Sequence, residues 1–332
     1  MLFTKKRTER NFNTSLIKKK IRKNSTTQKE SFFNLFKKDL KKNKNLYIML
    51  IPVILYYLIF HYQPMYGVQI AFKNYSFRKG ILGSDWVGLT HIKSFFNSYY
   101  FVRLLRNTLT LSVNDLIWGF PAPIILALLI NEIRGNRFKR LAQSITYLPH
   151  FISLVVVCGM IKDFFSINGL VNNVITHFGG QAINFFALGK YFAPIYVGTN
   201  IWQQLGWSTI IYLAALTAID PELYEAAKID GANKFKQILH ITLPCIMGTI
   251  IILFILRTGK MLNVGSEKVL LLYNSTIYEK ADIISTFVYR KGLEESNYSY
   301  AAAVGLFNSV INFILLISVN KLSKKFSDSS LW

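Results

Sequence analysis

The stretch Asp220-Pro221-Glu222-Leu223-Tyr224-Glu225-Ala226-Ala227-Lys228-Ile229-Asp230-Gly231-Ala232, running on to Ile241-Thr242-Leu243-Pro244, decides the fold. Seven charges stand from Asp220 to Lys236. At about 2.5 kcal/mol each, burying them in hydrocarbon would cost on the order of 17 kcal/mol, so this segment must lie in water. Apolar runs flank it at 191–219 and 245–262. A charged segment between two such runs reads as a loop joining two membrane crossings.

Working outward, six apolar runs near membrane length emerge: Leu46–Tyr66, Leu109–Ile130, Ile145–Phe165, Tyr191–Ile219, Cys245–Leu262 and Ala302–Asn320. About 20 helical residues at 1.5 Å each cross a hydrocarbon core of about 30 Å. Composition agrees, with 52 % hydrophobic and only 17 % charged residues, against about 25 % charged in soluble domains. The expected class is an all-α membrane protein with six transmembrane helices.

Charge orients it. Lys and Arg number 39 against 17 acids, a net +22, and residues 1–45 alone carry 15 basic residues against Glu9, Glu30 and Asp39. Such an arm is a possible nucleic-acid binder, but the apolar remainder favours a cytoplasmic arm near anionic lipid and no nucleic-acid partner. Phe32, Phe33, Leu35, Phe36 and Leu40 give its end an interfacial face. The segment 46–66 reads as an uncleaved first helix, since no small-residue cleavage site follows it. With the amino terminus inside, the inner loops 131–144 and 220–244 and the tail 321–332 carry ten Lys and Arg in 51 residues, against eleven in 106 for the outer loops. Basic residues concentrate on the cytoplasmic side, so both termini are expected there, in a cell membrane.

Ionisable residues in or near spans should face protein, water or an interface. Lys162, Asp163 and Lys260 read as span ends. Arg257 lies deeper and is a candidate cavity residue; Asp115 is another ionisable residue in a span. Pro121 and Pro123 interrupt the second span, which marks a kink beside a cavity rather than a lipid-facing rod. Cys158 and Cys245 sit in or beside apolar segments and imply no disulfide. The five histidines show no metal-ligand spacing, so no metal is expected.

The charged loop has a readable local design. Asp220 is placed as an N-cap, Pro221 at the first turn and Glu222 near the positive dipole end. Ala226 and Ala227 keep one face thin, and Gly231 suits a left-handed cap. A second short helix through Phe235, Ile238 and Leu239 is expected before Pro244. Two short helices tied to spans make a lever for a partner, or an ordinary amphipathic inner loop; physics alone leaves both open.

Glu225-Ala226-Ala227, then Gly231, then nine residues, then Ile241-Thr242-Leu243-Pro244 resembles the cytoplasmic signature of binding-protein-dependent ABC importer permeases. The resemblance implies the type I importer (MetI-like) permease fold. In it Glu225, Ala226, Ala227, Asp230, Gly231, Ile241, Leu243 and Pro244 form an ATPase-coupling loop, 221–244. Phe60-His61-Tyr62-Gln63-Pro64-Met65-Tyr66-Gly67, Leu105-Arg106-Asn107-Thr108-Leu109, Tyr147-Leu148-Pro149-His150-Phe151-Ile152-Ser153 and Ser330-Leu331-Trp332 look like the LplB-type branch of carbohydrate permeases. That branch is associated with complex oligosaccharides and uronate-containing sugars. The resemblance covers roughly 45–332, with an importer core near 104–320. It implies as partners a second homologous permease, two copies of an ABC ATPase and an extracellular solute-binding lipoprotein.

This chain itself has no phosphate-binding loop: Gly259-Lys260 is followed by Met261. It has no catalytic constellation either. ATP and Mg are therefore expected on the partner ATPase, no cofactor here, and no enzyme activity. For a solute path, Asn200, Gln203, Gln204 and Trp207 share one helical face, with Trp202 off it. They suit sugar hydroxyls and ring faces, or else helix packing and an interfacial aromatic belt. The resemblance to maltose-type permeases adds Asn200 and Trp202 as sugar contacts. Asn263, Asn308 and Asn312 are weaker candidates. Rival functions are a same-fold permease for peptides, polyamines or anions, and a membrane scaffold or sensor subunit.

Overall fold

The structure, a computed structural model, describes residues 32–326. Most of the basic arm, 1–31, and the ending Ser330-Leu331-Trp332 lie outside the described residues. The chain divides into two units after Gly67. In the first, α1 (Phe32–Lys42) carries lysines in its last turn. α2 (Lys44–Tyr57) follows, with Pro52 inside it and a π turn, Leu58–Tyr62, after it.

In the second unit, a two-residue antiparallel pair sets Lys73 opposite Trp86. Helices do the rest: α3 (Thr90–Phe96), α4 (Tyr100–Gly119), α5 (Pro121–Glu132), α6 (Asn136–Tyr147), α7 (Leu154–Phe164) and α8 (Leu170–His177). Next come α9 (Phe192–Thr217), α10 (Pro221–Ile229), α11 (Lys234–Gln237) and α12 (Leu243–Thr258). α13 (Ser266–Leu272), α14 (Ile284–Tyr289) and α15 (Tyr298–Phe326) complete it.

Among the described residues, four helical stretches are long and apolar enough to cross a membrane: Lys44–Phe72, Tyr100–Glu132, Lys234–Thr258 and Tyr298–Lys325. The second expected span is the α4–α5 rod, interrupted at Phe120 because Pro121 and Pro123 cannot donate to the preceding turn. The expected third span, Ile145–Phe165, is corrected: it is not one straight rod. Asn136–Phe151 and Leu154–Phe164 meet at 97°. Pro149 opens the turn and Ser153 caps the new helix by accepting from the Val156 amide. α9 is 26 residues long, but Asn200, Gln203 and Gln204 lower its apolarity, because it is the central helix rather than a lipid-facing one.

α9 runs through two buried clusters. At one end Phe192, Ile195 and Tyr196 pack with Leu111, Val157, Ile161 and Val269. At the other, Tyr212, Leu213 and Leu216 pack with Ile124, Ala127, Ile130 and Ile246. Between them Gly206 lies against the Thr146 backbone so closely that any Cβ would collide with its carbonyl. Gly206→Ala is therefore expected to lower the thermal midpoint in detergent, by an overpacking cost of about 1–3 kcal/mol. Gly198→Ala, with nothing within 4 Å of its new Cβ, is the control. Equal midpoints for the two would refute the close crossing.

Candidate functional site

Two places gather the residues that sequence reading singled out. The first is the charged loop. Asp220 accepts from the Glu222 amide at 3.0 Å, with Pro221 in the first turn. Gly231 ends α10 with φ +74°. The Ala232 amide then reaches the Ala227 carbonyl at 2.9 Å, which closes the helix end.

The second half of the loop corrects the expectation of a separate short helix. α11 passes through a π turn, Ile238–Thr242, directly into α12, so that Lys234–Thr258 is one helix. A π turn widens the spiral, which accommodates Pro244 without a break. Three bonds tie the loop together and to the neighbouring rod. Tyr224 Oη pairs with Thr242 Oγ1 at 3.0 Å, Gln237 Nε2 donates to the Ala232 carbonyl at 2.9 Å, and Lys234 Nζ meets Glu132 at 2.8 Å.

Glu225, Ala226, Asp230, Gly231 and Pro244 are exposed, while Ala227, Ile241 and Leu243 are half-buried. Sequence reading missed the apolar tips around them: Ile229 is 87 % and Phe235 72 % exposed, with Leu223 and Leu239 also outward. Large apolar side chains held in water on a charged loop mark a contact surface. Hydropathy could not single them out, because single apolar residues in a loop are common.

The second place is a cavity of about 840 Å³. α4, the His150 turn, α9 and the segment from Arg257 to Lys268 enclose it. Its centre is Asp115. Asn200 Nδ2 donates to Asp115 Oδ1 at 2.7 Å, and Arg257 Nη2 binds Oδ2 at 2.7 Å. Arg257 also bonds the carbonyls of Gly119 and Asp115, at 2.9 and 3.0 Å. Four hydrogen bonds thus fix Arg257 and Asn200, and both side chains still line the cavity.

Gln204 pairs with His150 Nδ1 at 3.0 Å, and His150 stacks on Trp207 with centroids 4.5 Å apart. Gln203 is buried and leans on the Ile152 carbonyl at 3.4 Å. Asn263 lines the cavity, and its Oδ1 accepts from both Asn308 at 2.9 Å and Asn312 at 3.1 Å. Trp202, half exposed, is not among the lining residues, and Trp207 borders a neighbouring pocket with Arg257.

Charges from three elements meet here: Asp115, Arg257, Lys260, Glu267 and Lys268. The Asp115–Arg257 pair is self-balanced, which leaves two lysines against Glu267. Lys268 is 3 % exposed, its Nζ 3.4 Å from the Tyr196 carbonyl. Burial pushes its ammonium down to about 8. The sequence named Asp115 and Arg257 separately; only the fold pairs them. His150 stood only within the Tyr147–Ser153 stretch quoted for the resemblance, and Lys268 had no sequence signal beyond residue type.

Among the described residues no group of three or more His, Cys, Asp or Glu stands ready to hold a metal.

Comparison with known proteins places the chain as a whole. The family model described as binding-protein-dependent transport system inner membrane component matches residues 119–328. Protein LplB of Bacillus subtilis (strain 168) is 48 % identical over 294 residues, covering 88 % of this chain and 92 % of that protein. The polygalacturonan/rhamnogalacturonan transport system permease protein YteP of the same organism is 45 % identical over 307 residues, covering 90 % and 96 %. A bacterial alginate ABC transporter, solved in complex with an alginate pentasaccharide-bound periplasmic protein, contains a chain 43 % identical with a TM-score of 0.82. That match covers 89 % of this chain and 99 % of the other.

Proposed function

This chain belongs to the family of binding-protein-dependent transport system inner membrane components, and we propose from that premise that it imports oligosaccharides bearing carboxylates. It is an inner-membrane permease subunit of a sugar ABC importer and not an enzyme; ATP hydrolysis belongs to a separate ATPase.

The observation that carries the cargo reading is the cavity. Fixed amides of Asn200, Gln203, Gln204 and Asn263 offer hydrogen bonds to hydroxyls. Lys260 and Lys268 outnumber the unpaired Glu267 and so favour carboxylate groups. The names of the relatives support this: one is a polygalacturonan permease and another handles alginate.

The working unit we infer holds a second, homologous permease, two ATPase copies and an extracellular binding lipoprotein, with both termini of this chain cytoplasmic. ATP binding closes the ATPase pair and moves the Glu225 loops together. Through the continuous α11–α12 rod this tilts the spans and opens the cavity outward; hydrolysis reverses it.

Proteoliposomes holding the assembled importer should accumulate galacturonate oligosaccharides when ATP is inside and the loaded binding protein outside. Equal loading of a peptide or polyamine would overturn the cargo reading. ATP hydrolysis without any loading would replace transport by a scaffold or sensor role.

A pH signature follows. Lys268 is cationic below about 8 and neutral above it. Apparent affinity for the acidic sugar should therefore fall as outside pH rises from about 7 to 9. Lys268→Met should flatten that slope, and an unchanged slope in the variant would remove Lys268 from the site.

A further inference from the structure

A second cleft, of about 510 Å³, opens where the first turn of α4 meets the segment 275–295. It lies at the end of the bundle opposite the charged loop. Glu132 closes the α4–α5 rod against Lys234 of that loop, and the rod is 33 residues, or about 50 Å, long.

The floor of the cleft rests on Asp282, which is completely buried. Arg290 grips both its carboxylate oxygens, at 2.6 and 3.3 Å, and Arg103 Nη2 approaches at 3.5 Å. Thr286 donates to it at 2.9 Å. Two guanidiniums on one carboxylate leave a positive excess in a partly desolvated place. Arg103 Nε is buried there without a partner, and an unmet buried donor carries the full cost of its lost hydration.

The rim is aromatic. Tyr99 is 81 % exposed. Arg103 lies 5.0 Å from the Tyr100 ring centre and Arg290 4.7 Å from that of Tyr278. Of the other charges, Lys291 is satisfied by Glu295 at 2.6 Å, and Glu279 stands exposed at the edge, where water screens it. A purely structural brace would account for Asp282 and Arg290. It leaves the Arg103 Nε donor unmet and the Tyr99 ring, edge-on to Tyr100 and 5.9 Å from Arg103, largely exposed to the cleft.

We propose that this cleft is an outer subsite that holds one carboxylate-bearing sugar unit, its ring face on Tyr99 and its carboxylate on the Arg103 guanidinium. This inference rests on the acidic-oligosaccharide reading of the cargo. The planar guanidinium fork matches a carboxylate in two-point fashion, which an ammonium does not. An aromatic face presents an apolar body to the C–H face of the ring. The subsite would detain the trailing end of a chain whose leading units enter the inner cavity.

The test uses the assembled importer in nanodiscs without its binding protein, titrated with trigalacturonate. Two classes of binding are expected. Tyr99→Ala should weaken one of them at least tenfold at an unchanged melting temperature, and Asn200→Ala should weaken only the other. Arg103→Lys should reproduce the Tyr99→Ala loss; because Arg103 also touches Asp282, the exposed Tyr99 carries the decision if that variant misfolds.

Unchanged binding in Tyr99→Ala overturns the subsite while leaving the cargo reading intact. An equal Tyr99-dependent loss for neutral maltotriose overturns the carboxylate assignment. If Tyr99→Ala instead weakens docking of the sugar-free binding protein by the same factor, the cleft is a protein contact and the proposal fails. Uptake of neutral sugar alone would take down the cargo reading and the subsite together.

Discussion

Gly231→Pro is expected to abolish ATP-driven uptake while the protein still inserts and assembles. The backbone at Gly231 has φ +74°, and proline is locked near −65°. Its amide also donates to the Lys228 carbonyl at 3.1 Å, a bond proline cannot make. Together these cost about 3 kcal/mol or more, roughly a hundredfold in the population of the native loop.

The loop would then no longer present Ile229 and Phe235 in one arrangement, and a partner ATPase would lose its grip on α12. Gly231→Ala grades the claim. A Cβ there meets nothing within 4 Å, so only left-handed strain of about 1–2 kcal/mol remains, and uptake should fall about tenfold. Glu225→Lys, on the same exposed face, should uncouple ATP hydrolysis from uptake. The measurement is uptake set beside ATPase activity in the same proteoliposomes. Wild-type uptake by Gly231→Pro would refute the coupling role of the loop.

The second large effect concerns Asp115. Its carboxylate joins Asn200 to Arg257, which the Gly119 carbonyl also holds. Asp115→Asn removes the charge partner of Arg257 and leaves one acceptor oxygen where Asn200 and Arg257 used two. Stranding one member of a buried ion pair costs 3–5 kcal/mol. Here the side chains are 31 % and 22 % exposed, so about 2 kcal/mol is the appropriate scale. Uptake should fall by at least about tenfold, which is 1.4 kcal/mol.

A stability effect and a cavity effect separate in the double variant Asp115→Leu with Arg257→Leu. Replacing the whole pair by apolar side chains restores the melting temperature but not uptake, since Asn200 remains unanchored. Full uptake in either variant would remove Asp115 from the transport path.

Much of this was legible in the residues. The seven charges from Asp220 to Lys236 can only be solvated, so the loop declared itself. The N-cap at Asp220 and the cap at Gly231 are short-range events, decided within one helical turn. Pro121 and Pro123 announced the interruption at Phe120 in the same way. The bend at Ile152–Ser153 escaped, because the apolar run continues across it and hydropathy has no sense of direction. So did the merging of α11 with α12: Pro244 reads as a break, and the π turn that absorbs it depends on the packing of the rod as a whole.

The sequence by itself determined that this is a helical membrane protein with a charged, solvated loop, because hydrocarbon excludes charge wherever the chain runs and whatever it packs against. Only the tertiary structure decided what the loop's neighbours and the cavity are made of. Asp115, Asn200 and Arg257 lie on three helices, 85 and 142 residues apart in the chain from Asp115. Asn263, in the turn after α12, meets Asn308 and Asn312 on α15. Pairings of that kind follow from which helix faces meet. The close crossing at Gly206 helps fix which faces those are, and no local pattern records it.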